Sequence, residues 1–381
     1  MTDIQIDVAG IPPIEERYDL RHLTTFVPNK GTSIHNWFYY KEGFAREFVV
    51  ASLEWMGVSN GTILDPFVGS GTTVLTAREV GMSSVGVDVS PLMILVSRVK
   101  CQDYDVDSLS ESATEIFSAK FARPDLSVVP REVRRYFSKY ALEDIVFLRS
   151  LIARVQDQKV RDFLHVLLMS SAIKASYAYK DGAILRVRKR HTPPFRKFFR
   201  AKTKRAIKEL QRFKPLGSEP ALYVGDARRL DFLDDSSVDC IVTSPPYLNK
   251  IEYTRVYGIE YSLFLPDVAQ APMRSFIGLD VKPDKQLFPS LPPVANAYFT
   301  DLRSALAEMW RVMKDGSKAT ILIAGGVFPT GVVDSDIYLC SLAVELGFKV
   351  DRVLALNRRV ATRDRVVKIG EARESAVILS K

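Results

Sequence analysis

The 381-residue chain is 47% hydrophobic and 26% charged, with 53 Lys and Arg against 45 Asp and Glu for a formal charge of +8. This composition fits a globular protein with enough chain for a full core. It excludes a membrane-spanning one, since no apolar run approaches the ~20 residues of a bilayer crossing. Cys101, Cys240 and Cys340 are widely spaced in apolar surroundings, which gives neither a disulfide framework nor a zinc pattern and points to a reducing, intracellular setting; the basic balance points to a polyanionic partner.

Residues 1–25 are mostly polar and read as an arm or surface layer; Met1 to Gly10 carries acids and no basic segment, so it does not read as a signal peptide. Phe44 to Met56 has apolar residues at helical spacing and stops at Gly57. Gly43, just before it, would let a ligand carboxylate approach free backbone N–H groups. Gly61 to Phe67 reads as a buried strand, Val68-Gly69-Ser70-Gly71-Thr72-Thr73 as a glycine turn, Val74 to Gly81 as a helix, and Ser84 to Ser90 as a second strand carrying Asp88. A strand, glycine turn, helix, strand and acid in that order form the layout of a nucleoside-binding unit. The glycines admit close backbone approach and the acid accepts ribose hydroxyls.

From about Asp105 to Phe213 the pattern is helical, without clear strand alternation. Its end is basic: a dense run of Lys and Arg between Arg186 and Lys214 faces the single acid Glu209 and interleaves with Phe195, Phe198 and Phe199. A solvated helix face is the bland reading. The density and the aromatic residues favour a phosphate-contacting surface, with Arg186, Arg188, Lys189, Arg190, Arg196, Lys197 and Arg200 as its candidates.

Ala221 to Ala227 resumes the sheet, and Asp226 at its end is placed to meet a cofactor's adenine amino group. Val238 to Val242 is a fourth strand, leaving through Thr243-Ser244-Pro245-Pro246-Tyr247. Two prolines cannot continue a ladder, but they hold a chain rigid with its carbonyls outward. A hydroxyl before them and a ring after them make a pocket for a planar base with an exocyclic amine. Residues 266–296 are proline-rich and read as a substrate loop. Ala297 to Met313 is helical, Ala319 to Ala324 a strand, Asp336 to Leu346 a helix, and Phe348 to Leu356 and Ser375 to Ser380 the last strands. The basic stretch between those two, Asn357 to Arg373, reads as a hairpin arm, either solvated or touching a nucleic-acid backbone. These strands predict an α/β fold, a doubly wound, mostly parallel seven-stranded sheet with a helical insertion and ligand sites at the C-terminal strand edges. Residues 1–102 and 219–381 form its catalytic domain, and 103–218 the basic insertion.

Asp65-Pro66-Phe67-Val68-Gly69-Ser70-Gly71-Thr72-Thr73 with Thr243-Ser244-Pro245-Pro246-Tyr247 resembles the amino-directed DNA methyltransferases, enzymes of N4-cytosine and N6-adenine that use S-adenosylmethionine and share a Rossmann-like fold. The resemblance covers roughly 24–100 and 220–381. It implies cofactor contacts from Asp65, Pro66, Phe67, Gly69, Gly71, Thr72 and Thr73, ribose contacts from Asp88 and an adenine contact from Asp226. The Lys41-Glu42-Gly43-Phe44 region resembles the family's element near the methionine end, with Lys41, Gly43 and Phe44 as its candidate contacts. Ser244 at the head of the catalytic motif is most often the cytosine form, whereas adenine enzymes more often place Asp there. Also implied are double-stranded DNA as partner, a prokaryotic or phage cytoplasm near the nucleoid, and no metal or membrane; a cognate restriction endonuclease is left open. The cofactor motif precedes the catalytic one, an order only some subgroups share.

The chemistry is consistent with that reading. The cytosine N4 lone pair is delocalised into the ring, and hydrogen bonds from its N–H groups to the Ser244 hydroxyl and Pro245 carbonyl favour a pyramidal, nucleophilic nitrogen. Duplex DNA hides this atom, so the base must be flipped and stacked, with Tyr247 as platform. Alternatives are N6-adenine methylation, exocyclic-amine methylation of structured RNA, and a catalytically silent nucleic-acid-binding module.

Overall fold

The structure is a computed structural model that describes residues 10–181, 184–248, 256–268, 287–328, 331–363 and 367–381. Short apolar runs ending in acids or hydroxyls build the central sheet. β1 is Ile14–Glu16, β2 Thr62–Asp65, β3 Ser83–Asp88, β6 Ala221–Val224, β7 Val238–Thr243, β8 Met313–Ala324, β11 Lys349–Arg363 and β12 Val367–Ser380. Outside it lie two small hairpins, β4 (Ala178–Asp181) with β5 (Ile184–Val187), and β9 (Gly326–Phe328) with β10 (Gly331–Val333).

The sheet order is β1-β11-β12-β8-β7-β2-β3-β6. β7 lies parallel between β2 and β8, and β12 alone runs antiparallel to its neighbours. The strand count is therefore eight rather than the expected seven. The extra strand is β1, from the segment read as a surface arm, whose Ile14 pairs in parallel with Val353. The doubly wound, mostly parallel architecture is otherwise as expected.

Side-chain alternation divides the two faces. Ile63, Cys240, Val242 and Leu322 share a cluster with helix α1 (Arg46–Met56), while Leu64, Ile241, Ile321 and Ile323 point the other way. That second face is covered by the long helix Pro293–Val312 and by Ser335–Glu345. α1 ends where Gly57 adopts φ 70°, as its sequence predicts. α2 (Thr72–Val80) and α3 (Pro91–Cys101) lie on the α1 side.

The insertion supplies α4 (Val106–Ser118), α5 (Arg131–Arg134), α6 (Lys139–Ile152), α7 (Gln158–Ala175) and α8 (Phe195–Arg212), with the β4–β5 hairpin before α8. It does not stand apart: Val74, Leu75, Leu92 and Val96 of α2 and α3 share one buried cluster with Leu164, Leu168 and Phe199. The helix α9 (Gly258–Phe264) packs into the same cluster through Ile259 and Leu263. The proline-rich 266–296 stretch, read as a substrate loop, falls largely outside the described residues. Among the described residues no helix is long and apolar enough to cross a membrane.

Candidate active site

The parallel order brings the C-terminal ends of β2, β3, β6 and β7 together. A knot beneath that edge joins the two motifs. Asp65, 1% exposed, accepts hydrogen bonds from the Thr73 hydroxyl and the Thr243 hydroxyl, both at 2.6 Å, and from the Phe67 N–H at 3.1 Å. The glycine turn and the catalytic strand thus share one carboxylate. Burial pushes its carboxyl up to about 6, against the lowering effect of the Thr243, Thr73 and Phe67 donors. Asp65, Gly71 and Thr73 consequently stand behind the wall of the cavity above, not on it. Gly71 has φ 81°, and a Cβ there would meet Ser97 at 2.8 Å, so only glycine fits the turn.

The cavity, of about 550 Å³, is lined on its cofactor side by Lys41, Gly43, Phe44, Pro66, Phe67, Gly69, Thr72, Asp88 and Asp226, all read from the sequence as cofactor residues. Asp88 accepts the Gly69 N–H at 3.0 Å and the Ser90 N–H at 2.8 Å. Its burial pushes the carboxyl up to about 6, with a further push from Asp65 outweighed in part by those two donors. Asp226 is gripped by Arg228, whose Nε lies 3.0 Å from Oδ1 and whose Nη2 lies 2.6 Å from Oδ2; Arg228 also donates to Asp301 at 2.8 Å. Burial raises the Asp226 carboxyl, but the Arg228 contacts outweigh it and leave a net lowering.

Three further features belong to this side; the first two had no signal in the sequence, and the third, Glu42, lies within the 41–44 stretch already read as meeting the cofactor. Tyr40 and Tyr257 stack at 5.9 Å, 26° apart, and the Tyr40 ring sits where a Cβ on Gly69 would come within 2.9 Å. Tyr261 and Ser90 share a hydrogen bond of 2.7 Å at the rim. Glu42 accepts the Tyr257 hydroxyl through Oε2 at 2.7 Å, while its Oε1 is buried with no hydrogen-bond partner.

Ser244, Pro245, Pro246 and Tyr247 line the same cavity. The Ser244 hydroxyl donates to the Leu322 carbonyl at the end of β8, 3.0 Å away. It also shares a hydrogen bond with the Tyr247 side chain, and as a neutral hydroxyl it keeps a lone pair to accept. The Tyr247 hydroxyl donates to Glu374 at 2.9 Å. Glu374, fully buried, is held by Arg359 through Nε at 3.0 Å and Nη2 at 2.6 Å, and by the Asn357 amide at 3.1 Å. Asn357 and Glu374 face each other across the β11–β12 ladder, and Arg359 lies two residues on, hence on the same face. Burial, followed by the Glu374 charge, pushes the Tyr247 phenol well above its ordinary value, so it stays a donor. The basic stretch read as a hairpin arm therefore has a foot in the cavity wall.

None of the seven candidate nucleic-acid residues lines the cavity. Arg186, Arg188, Lys189, Lys197 and Arg200 are exposed. Arg190 donates to the carbonyls of Lys174 and Ser176 at the end of α7, and Arg196 lies over the Phe121 and Phe147 rings, so both also serve packing. Lys202, further along α8, donates to the Trp37 carbonyl at 2.8 Å, and Glu209 accepts the Trp37 indole N–H at 2.7 Å. These contacts dock the basic helix onto the segment that carries the cofactor wall.

Comparison with known proteins agrees with this geometry. A family model described as DNA methylase, of the N6/N4 group, matches residues 28–96, the N-terminal wall and the glycine turn. The chain is 24% identical over 450 aligned residues to the Type II methyltransferase M.BsoBI of Geobacillus stearothermophilus, covering 93% of this chain and 87% of that one. It is 24% identical over 416 to the Type II methyltransferase M.AvaI of Anabaena variabilis, covering 88% and 83%. Type II methyltransferase M.MjaII of Methanocaldococcus jannaschii is 31% identical over 114 residues, 28% of this chain and 22% of that one. With both motifs at one sheet edge around one cavity, the chain is similar in sequence and in the layout of its site to the amino-directed, S-adenosylmethionine-dependent DNA methyltransferases, the N4-cytosine and N6-adenine family.

Proposed function

We propose that the chain is a site-specific, Type II DNA methyltransferase that methylates the exocyclic N4 amine of a cytosine turned out of the duplex. The observation that carries the base assignment is Ser244 itself, a hydroxyl anchored at the Leu322 carbonyl that puts a neutral acceptor at the head of the motif. A neutral hydroxyl and the Pro245 carbonyl together can accept both N–H groups of the amine without placing a full charge beside it. That orients the nitrogen lone pair outward from the pocket wall.

The cavity fits the cofactor. Glu42 Oε1, buried without a partner, suits the ammonium of its methionine end, since a buried carboxylate oxygen left unpaired is costly. Gly69, where any Cβ would strike Tyr40, lets backbone approach closely. Asp88 is placed for ribose hydroxyls and Asp226 for the adenine amine, each with lone pairs to spare after its internal bonds. When bound, S-adenosylmethionine supplies an electrophilic methyl on a sulfonium. The chain positions the amine, excludes water with its aromatic wall, and stacks the base on Tyr247; the amine proton then leaves to solvent. The exposed Arg and Lys of β5 and α8 supply the duplex contacts in this reading.

The test is incubation of the protein with mixed-sequence duplex DNA and methyl-labelled S-adenosylmethionine, followed by digestion to nucleosides. N4-methylcytosine is expected. N6-methyladenine alone would overturn the base assignment, and label in neither base of DNA would overturn the activity. Ser244→Ala is expected to bind cofactor normally and lose most transfer.

A further inference from the structure

We infer that Glu374, together with Arg359, is a positioning apparatus of Tyr247, so that the terminal hairpin takes part in setting the angle of the base-stacking ring. The inference rests on the reading of the cavity as a base pocket. Tyr247 leaves β7 through two prolines, and its own backbone makes no ladder bonds there. The ring is held at its hydroxyl by a residue 127 positions later, which joins the nearby Ser244 side chain there, with the Arg359 guanidinium 5.8 Å from the ring centroid.

A merely structural role explains this cluster poorly. A fully buried carboxylate is an expensive way to join two strands, and replacement of such a pair by apolar side chains is often neutral or stabilising. The hairpin is also anchored elsewhere. On its other face Arg358 binds Glu16 at 2.6 Å and Arg373 binds Asp336 at 3.0 Å, fixing it to β1 and to the Ser335–Glu345 helix. What Glu374 adds is a fixed acceptor for one phenol. Arg359 aligns that acceptor through two parallel N–H bonds, leaving the carboxylate no freedom to rotate.

The experiment is a double-mutant cycle on the full chain with Tyr247→Phe, Glu374→Gln and their combination. Single-turnover methyl transfer to mixed-sequence duplex DNA is measured alongside cofactor affinity by calorimetry. Tyr247→Phe keeps the ring and removes only the hydroxyl. Each single variant should transfer about tenfold more slowly, with cofactor affinity within about twofold of wild type, and the double variant should fall no more than about twofold below the slower single one. Arg359→Lys, which keeps the charge and loses the fork, should likewise be non-additive with Tyr247→Phe. Independent factors that multiply in the double variant, or a wild-type rate for Tyr247→Phe, would overturn the inference while leaving the proposed activity intact. Loss of cofactor binding in Glu374→Gln and Arg359→Lys alike would do so too, by showing a purely structural role. A wild type that methylates no DNA would remove the base-pocket reading and this inference with it.

Discussion

Three carboxylates show how burial assigns different tasks to one functional group. Asp65 and Asp88 are both pushed up to about 6, chiefly by burial, whereas Arg228 brings Asp226 below its ordinary value. The sign of the pH dependence follows. The native Asp65 and Asp88 carboxyls bind protons more tightly than in the unfolded chain, where their ordinary value is 3.8. Their contribution to stability is therefore lost as pH rises from the unfolded value through about 6. Cofactor binding should run the other way, because an ionised Asp88 accepts two ribose hydroxyls and a protonated one does not. Calorimetric titration is expected to show affinity falling by about tenfold per pH unit below the Asp88 value, while these two groups raise the melting temperature of the free protein over the same interval. Affinity flat between pH 7 and 5 would remove Asp88 from the ribose site. Glu42→Gln should weaken cofactor binding by about tenfold with little change in the single-turnover rate at saturation, as befits loss of a charged contact remote from the reacting amine.

At the scale of elements, legibility tracked the distance between partners in the chain. Asp65, Gly69, Gly71 and Asp88 lie within one β-α-β unit, so spacing alone located them; the same spacing could not tell the wall residues from Asp65 and Thr73 behind it. Glu374 was invisible because its partner Tyr247 lies beyond the end of β7, 127 residues earlier, and because the surrounding arginines read as a hairpin arm, solvated or touching a nucleic-acid backbone. The β4–β5 hairpin was missed because its strands are four residues each and sit in a helical stretch. β1 was missed because three mostly exposed residues, Ile14 to Glu16, carry no alternation to read. The α8 helix presents a similar ambiguity, since charge density cannot distinguish a base that faces solvent from one that braces a ring. The structure separates Lys197, which is exposed, from Arg196, which lies over Phe121 and Phe147; Arg200 does both, exposed yet 5.8 Å from the Phe117 ring centroid. Changing Arg188, Lys189, Lys197 and Arg200 together to Ala should flatten the salt dependence of DNA binding, by up to ~0.9 in log–log slope for each phosphate contact removed. Arg196→Ala should chiefly lower the melting temperature. An unchanged slope in the multiple variant would return α8 to the role of a solvated face.

In the whole molecule, the insertion and the sheet share a core, and the candidate site draws on stretches scattered along the chain: the N-terminal segment, the glycine turn, the ends of β3 and β6, the β7 exit, α9 and the terminal hairpin. The pairing of β1 with β11 has one more consequence. Ile14 lies opposite Val353, Ser380 lies opposite Lys349, and β1 and β12 flank β11, so the start of β1 and the end of β12 lie toward the same end of one strand. β1 and β12 are two strand spacings apart, roughly 10 Å. The order in which the motifs are encoded is thus a matter of where the polypeptide is opened. A circular permutant that joins Lys381 to Gly10 through a short glycine-serine linker and begins at the exposed Ser218 would carry the catalytic motif ahead of the cofactor motif without changing any strand's neighbours. Such a permutant is expected to melt cooperatively and to bind S-adenosylmethionine, as read by calorimetry; an unfolded product would mean that the fold does not tolerate the junction at β1 or the opening at Ser218.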